Sequence, residues 1–265
     1  MAPFRQKSKI VKIDLHVSTK PLTREALHDP IQALHAAQRR GLDGIAFTER
    51  NIVRGASAFM QLDDIARTRF GLTVFQGLLM DTTRGPLLVY GQSIAQTGES
   101  GVKVETLDMA AAIEFCKESG WAVVLASPFR VARDSSAGLC HRFTDYEDAV
   151  NRAHEEMGYL VRLVNAIEVS GAVSKRENSL ALDLARAFNL PVVVGSGACY
   201  HTQIRAGCYT RFPNDVRTSE HLARAITTAT PEGTDHGRFR PADPAGIYSS
   251  VKPDPVRDRS LTDPG

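Results

Sequence analysis

The chain has 265 residues, 43% of them hydrophobic and 23% charged, with a formal net charge of +2 at pH 7. This apolar content is enough for a sizeable core, and the near-balanced charge gives no strong electrostatic argument for binding to nucleic acid or to a membrane surface. The first residues form no apolar signal core, and no run approaches the length of a membrane span. Four irregularly spaced cysteines indicate neither a zinc knuckle nor a disulfide framework, so we expect a reduced, cytoplasmic protein.

Short β-rich runs alternate with longer helical patterns along the chain. Strands are predicted at 10–15, 44–48, 72–75, 87–90, 121–126, 166–169 and 191–194. Helices are predicted at 24–40 (with a break or restart at Pro30), 56–69, 107–119, 146–160, 177–188 and 219–228. Repeated β-then-α units indicate a parallel sheet with helices outside it. Six or seven strands favour a barrel, and a doubly wound sheet is the alternative.

The predicted elements all fall within residues 1–230, which we expect to form one barrel domain. Residues 231–265 contain six prolines and mixed charges, a composition typical of an extended or disordered segment rather than of a second domain. We therefore predict a Pro-rich C-terminal tail, which would suit a partner-binding arm because extended segments can wrap a partner.

Polar segments follow the predicted strands, and loops at the carboxyl ends of parallel strands can carry chemistry without disturbing the core. GLDGIAFT at 41–48 resembles the stretch that leads to the Thr-Asp-His motif of PHP (polymerase and histidinol phosphatase) phosphoesterases. ASPFR at 126–130 resembles that family's Ala-His-Pro-Phe-Arg, and GSGAC at 195–199 resembles its Gly-Ser-Asp-Ala-His. Six such segments match in order between residues 10 and 212. The resemblance implies an α/β fold, a distorted (β/α)7 TIM-like barrel of the PHP type.

The resemblance also implies that histidine and acidic side chains of these motifs hold a metal cluster that activates water against a phosphoester. His16 keeps the first histidine of this set, and Glu49 stands where the family has aspartate. The other expected ligands are replaced, by Ser18, Arg50, Leu79, Pro86, Ser127, Gly197 and Cys199. Leucine, proline and glycine side chains cannot ligate a metal, and arginine repels a cation. We therefore expect no metal cofactor, no catalytic residue and no hydrolysis by the family's mechanism.

Two other kinds of site are alternatives at the same place. A rearranged zinc or manganese site would draw on His16, Glu49, Asp81, Cys199 and His201. In the plainer interpretation of that set, Cys199 fills an apolar slot and His201 lies on a loop. A phosphate- or anion-binding pocket would use Arg50, Ser127, Arg130, Ser196 and Arg205. Alternatively, Arg50 pairs with a leftover carboxylate, which would be that of Glu49, Asp14 or Asp81.

These observations predict a catalytically inactive PHP-like protein, a pseudoenzyme that acts as a scaffold, regulatory or partner-binding subunit of a larger complex. We expect a protein partner, bound in part through the C-terminal tail. Two alternatives stay open. One is a phosphoester hydrolase with a rearranged metal site, and the other is a metal-free protein that binds phosphate or nucleic acid.

Overall fold

A computed structural model describes residues 10–20, 26–91, 102–103, 105–132, 137–205, 207–213, 216–228 and 240–241. The strands within these residues are β1 (Ile10–Val17), β2 (Gly44–Arg50), β3 (Ile52–Val53), β4 (Thr73–Thr82), β5 (Gly85–Tyr90), β6 (Val102–Lys103), β7 (Ala122–Leu125), β8 (Ala166–Ser170), β9 (Val192–Gly195), β10 (Thr210–Pro213) and β11 (Arg240–Pro241). The α-helices are α1 (Pro30–Arg39), α2 (Ala56–Ile65), α3 (Met109–Glu118), α4 (Ala149–Val161), α5 (Lys175–Ala187) and α6 (Ser219–Thr227).

Nine of the described strands form one sheet that curls into a nearly closed barrel, in the order β11-β10-β1-β2-β4-β5-β7-β8-β9. β1, β2 and β4 run parallel to one another, as do β7, β8 and β9. The barrel wall closes where Val17 of β1 bridges to Ala198 just after β9, and the backbone N–H of Ser18 donates to Ala198 O at 2.9 Å. The predicted α/β class and the distorted TIM-like barrel are therefore confirmed.

Apolar side chains lie on both faces of the barrel wall, because successive residues of a strand point to opposite faces. The outer face packs against α3, α4 and α5 on one side and against α1 and α2 on the other. The inner face carries a separate cluster that includes Leu15 and Tyr90. Helix α6 joins this inner cluster through Leu222 and Ile226, together with Val11 near the start of β1, and so fills the amino end of the barrel. We call the opposite end, where β1, β2, β4, β7, β8 and β9 finish, the mouth.

The largest departure from the predicted β-then-α repeat is a hairpin between β4 and β5. β4 continues to Thr82, beyond the predicted strand 72–75, and only Thr83 and Arg84 separate it from β5. A parallel return needs a crossover of a dozen or more residues, so β5 runs antiparallel to both β4 and β7. Gly85 has a φ of +125°, a backbone conformation that other residues rarely adopt. The longer β4 carries Asp81 to the mouth.

Helix α1 begins at Pro30, where the sequence predicted a break within 24–40. The Asp29 side chain accepts a hydrogen bond of 2.8 Å from the backbone N–H of Gln32, and the Gln32 side chain accepts one of 3.1 Å from the N–H of Asp29. This reciprocal cap satisfies N–H groups that have no partner inside the helix, and proline suits the first helical position. The proline therefore starts the helix.

None of the described helices is both long and apolar enough to cross a membrane. The predicted domain boundary at residue 230 and the tail 231–265 fall outside the described residues, except for β11. That two-residue strand pairs antiparallel with β10. The extended or disordered tail stays a prediction.

Candidate functional site

A buried chain of three polar side chains from three strand ends occupies the centre of the mouth. Glu168, on the inner face of β8, has no solvent exposure. Its Oε1 lies 2.6 Å from Nδ1 of His16 on β1, and its Oε2 accepts a hydrogen bond of 2.9 Å from the Ser127 hydroxyl after β7. Ser127 has a φ of +39°, a left-handed backbone that is uncommon for serine and that turns the chain sharply after β7. Glu168 therefore ties β1, β7 and β8 together.

Asp14 is a second fully buried carboxylate, two residues before His16 on β1. Its Oδ1 accepts hydrogen bonds from the backbone N–H groups of His16 at 3.1 Å and of Ser196 at 2.8 Å. Its Oδ2 has no hydrogen-bond partner among the described residues. Burial raises the pKa of Asp14 to about 6, because the charged form loses its hydration and the hydrogen bonds from Ser196 and His16 offset only part of that loss.

Tyr90 places a buried phenol beside these carboxylates, on the inner face of β5. Its hydroxyl donates a hydrogen bond of 2.7 Å to the carbonyl oxygen of Leu15. Burial, and then the negative charges of Glu168 and Asp14, raise the pKa of Tyr90 well above its ordinary value. The phenol is therefore a neutral donor, and its proton is directed to the backbone of β1.

Glu49, the last but one residue of β2, is a third carboxylate without solvent exposure. Its Oε1 accepts hydrogen bonds from the Thr19 hydroxyl at 2.6 Å and from Nη2 of Arg54 at 2.7 Å. Its Oε2 accepts a third, of 2.8 Å, from the backbone N–H of Thr19. The Glu49 carboxylate is thus paired with a buried arginine of the same chain.

Arg50 pairs with Asp81, which was one of the three carboxylate partners that the sequence left open. Its Nε lies 3.0 Å from Oδ2 of Asp81, and its Nη2 lies 2.9 Å from Oδ1, so the contact is bidentate. Asn51, with a φ of +53°, donates from Nδ2 to Oδ2 of Asp81 at 2.8 Å and accepts from the Asp81 N–H at 2.7 Å. The guanidinium that the sequence placed in an anion pocket is therefore engaged with a carboxylate.

The remaining members of the predicted anion pocket lie in different surroundings. The Ser196 hydroxyl donates to the carbonyl oxygen of His16 at 3.3 Å, at the centre of the mouth. Arg130 closes the turn after β7, where its backbone N–H donates to Ser127 O at 2.9 Å. Arg205 is half-buried beyond β9. Anion binding by this set stays a prediction.

Cys199 and His201, the last two candidates for a rearranged metal site, follow β9. The backbone N–H of Cys199 donates to Oε1 of Gln203 at 2.8 Å. His201 is exposed, and its ring makes an edge contact with the ring of His28, with 6.5 Å between the centroids. His28 is buried, which lowers its pKa. The His201 ring therefore contacts the segment that leads into α1.

The phosphoesterase fold implies a metal, and the described side chains do not fit one. Across the described ranges, no three His, Cys, Asp or Glu side chains converge in a group that could hold a metal ion. The donor chemistry explains this, because Glu49 and Asp81 are paired with arginines and Glu168 with a histidine. A divalent ion needs such oxygens and nitrogens to be directed at it instead.

Glu168 and Arg54 are residues of the site that the sequence analysis missed. Glu168 lies within the predicted apolar strand 166–169, and a carboxylate buried in a strand requires a partner, so a usable signal was present. Arg54 had no comparable signal. It follows a two-residue strand, and nothing in the sequence shows that its side chain turns back to Glu49.

Comparison with known proteins places the fold. No protein-family model matches the sequence, and no curated protein matches it. One similar solved structure is a two-domain protein from Bacteroides vulgatus that contains a predicted PHP-like metal-dependent phosphoesterase. Its TM-score is 0.51 at 16% identity, and the match covers 83% of this chain and 63% of that protein. An inferred metal-dependent phosphoesterase from Bifidobacterium adolescentis has a TM-score of 0.50 and 11% identity over 71% of this chain and 87% of its own.

At these identities the likeness concerns the fold, and the chain spans only 63% of the length of the Bacteroides vulgatus protein. The shared architecture agrees with the strand order and the barrel closure described above. The chain therefore has the barrel fold of PHP-like phosphoesterases, as the resemblance of its sequence implied.

Proposed function

We propose that the chain is a degenerate PHP-family protein, a catalytically inactive barrel that acts as a scaffold or as a regulatory, partner-binding subunit. One observation carries this proposal, the engagement of three mouth carboxylates with basic side chains of the same chain: Glu49 with Arg54, Asp81 with Arg50 and Glu168 with His16. Metal-dependent hydrolysis requires side chains that are directed at the ion and leave a position open for water. The paired groups are instead directed at one another.

The rim of the mouth supports a role in binding a protein. Ten large apolar side chains are exposed in the described part of the chain, and six of them lie beyond strand ends or beside the end of β4: Leu27, Ile31, Leu107, Val131, Tyr146 and Tyr200. We propose that these side chains together form an interaction surface, because exposed apolar groups that lie on one face are typical of such surfaces. The net charge of +2 offers little electrostatic attraction for nucleic acid, so the partner that we propose is a protein covering the mouth.

The purified protein is expected to contain no stoichiometric zinc or manganese and to keep its Tm when EDTA is added. The reason is that its own cations already compensate the mouth carboxylates. Elemental analysis and thermal unfolding measure the two quantities. Hydrolysis of bis(p-nitrophenyl) phosphate with added Mn²⁺ is expected to equal that of the His16→Ala variant. Stoichiometric metal that is lost in His16→Ala would contradict the proposal.

Leu27→Asp and Tyr200→Asp are expected to abolish retention of the partner in affinity purification from the native cells, because a charge in an apolar contact is left desolvated. Tyr159→Asp serves as the matched control, since Tyr159 is also exposed but lies near the end of α4, away from the mouth. Mass spectrometry identifies the retained protein. Recovery of a lone chain, or equal loss of the partner in the control, would count against a docking role for the mouth.

A further inference from the structure

A buried histidine lies in the segment 26–28, directly before α1. His28 is only 1% exposed, and neither of its ring nitrogens makes a well-formed hydrogen bond with the described residues. The exposed ring of His201 lies at its edge, with 6.5 Å between the centroids. The fold therefore suits the neutral imidazole, because a charged ring withdrawn from water needs acceptors or a counter-ion.

The groups that surround His28 do not compensate a positive charge on its ring. Burial lowers the pKa of His28, and the charge of His201 lowers it further. The backbone of Cys199 and the carboxylate of Asp29 favour the charged ring, but burial outweighs both. Lys20, the titratable residue among those described after β1, is exposed. Protonation of the ring therefore favours its movement out into water.

Two backbone hydrogen bonds hold the segment 26–28 at the mouth. The N–H of Leu27 donates to the carbonyl oxygen of Cys199 at 2.9 Å. The N–H of Lys20 donates to the carbonyl oxygen of His28 at 2.9 Å. The segment is thus tied to the loop after β9 and to the loop after β1, and both bonds break when the segment moves outward with the ring.

The exposed side chains of Leu27 and Tyr200, which we call the docking corner, depend on the first of these bonds. It ends on Cys199, the residue directly before Tyr200. Both side chains belong to the exposed apolar set that we propose to contact the partner. When the bond breaks, Leu27 and Tyr200 lose their fixed relative positions, and the surface offered to the partner is no longer preformed.

We infer that the segment 26–28 is an acid-sensitive latch, which closes around the neutral His28 ring and opens when that ring takes up a proton, so that acid releases the docking corner. This inference rests on the proposed function, because it names the regulation of the surface that the partner covers. The open segment binds a proton with the ordinary pKa of 6.5 and the closed segment with a lower one. Opening is therefore favoured as the pH falls below 6.5.

The test is amide hydrogen exchange of the natural chain, followed by NMR between pH 7.5 and pH 5.0. The amides of Leu27 and Lys20 report on the latch. The amide of Ser18, which donates to Ala198 O at 2.9 Å in the barrel wall, is the matched control. After correction for the intrinsic effect of pH on exchange, opening at the first two amides is expected to rise by up to about 30-fold at pH 5.0. Opening at Ser18 is expected to change much less.

His28→Phe removes the titrating group and keeps a ring in the buried position, so the amides of Leu27 and Lys20 are expected to lose their acid response. His201→Ala is the matched control variant, because that ring is exposed, and it is expected to keep most of the response. A partner retained by the natural chain at pH 7.5 is expected to be released at pH 5.5, whereas His28→Phe is expected to retain it at both.

Three results would overturn the inference: no faster opening at Leu27 and Lys20 in acid, an equal acid response in His28→Phe, and a parallel response at Ser18, which would indicate global unfolding. If His28→Phe does not fold, His28→Leu takes its place in the same comparison. The exchange is measured on the chain alone, so its failure leaves the proposed function standing. That function fails separately, on stoichiometric metal in the natural chain.

Discussion

Glu168→Ala is expected to lower the free energy of unfolding by about 2–6 kcal/mol, because two buried polar groups lose their acceptor at a cost of about 1–3 kcal/mol each. The carboxylate has no solvent exposure and accepts from His16 at 2.6 Å and from Ser127 at 2.9 Å. Its loss leaves both of these polar groups without their acceptor inside the barrel. Urea denaturation at pH 7 measures the change.

The control for this variant is Glu156→Ala on α4. Glu156 forms an ion pair with Arg142, but about half of each of these side chains is exposed to water. Exposed pairs contribute about 1 kcal/mol or less, so the control is expected to change stability little. A Glu168→Ala variant no less stable than the control would show that the central chain of polar groups does not hold β1, β7 and β8 together.

The second large effect is a dependence of stability on pH that arises from Asp14. Burial raises its pKa from 3.8 to about 6, so between these values the folded chain binds a proton that the unfolded chain has released. The contribution of Asp14 to stability is complete below pH 3.8 and is lost as the pH rises through about 6. The shift of about two units corresponds to about 3 kcal/mol.

Asp14→Asn isolates this contribution, because asparagine keeps the shape and does not titrate. The free energy of unfolding of the natural chain minus that of Asp14→Asn is expected to fall by about 2 kcal/mol between pH 4 and pH 7, because at pH 4 part of the unfolded chain is still protonated at Asp14. His28 contributes with the opposite sign, since its lowered pKa makes stability fall as the pH decreases, but that contribution is common to both proteins and cancels. A difference that does not change with pH would place the Asp14 pKa near its ordinary value.

Much of the fold could be predicted from the sequence, because hydrophobic periodicity is a local property. The six α-helices and the seven predicted strands appear in the predicted order along the chain. The reversed direction of β5 could not be predicted in the same way. It depends on the length of β4, which continues to Thr82 because it pairs with β2 on one side and β5 on the other.

The candidate site could be predicted only in part. Their places after strand ends predicted that His16, Glu49 and Ser127 would lie at the mouth, and the structure brings His16 and Ser127 together on Glu168, whereas Glu49 contacts Thr19 and Arg54. His201 also follows a strand end, yet its ring contacts the ring of His28 instead. The place of a residue directly after a strand determines at which end of the barrel it lies. The direction of its side chain depends instead on the local path of the loop.

The sequence by itself determined which metal-ligand types are missing, because ligation is a property of the residue type. Leu79, Pro86 and Gly197 have no ligating side chain in any fold. Only the tertiary structure decided which basic side chain meets which carboxylate, since the partners lie 5, 31 and 152 residues apart and several pairings were open. Burial made the choice, because a carboxylate withdrawn from water needs the hydrogen-bond donors and cations that folding brings to it.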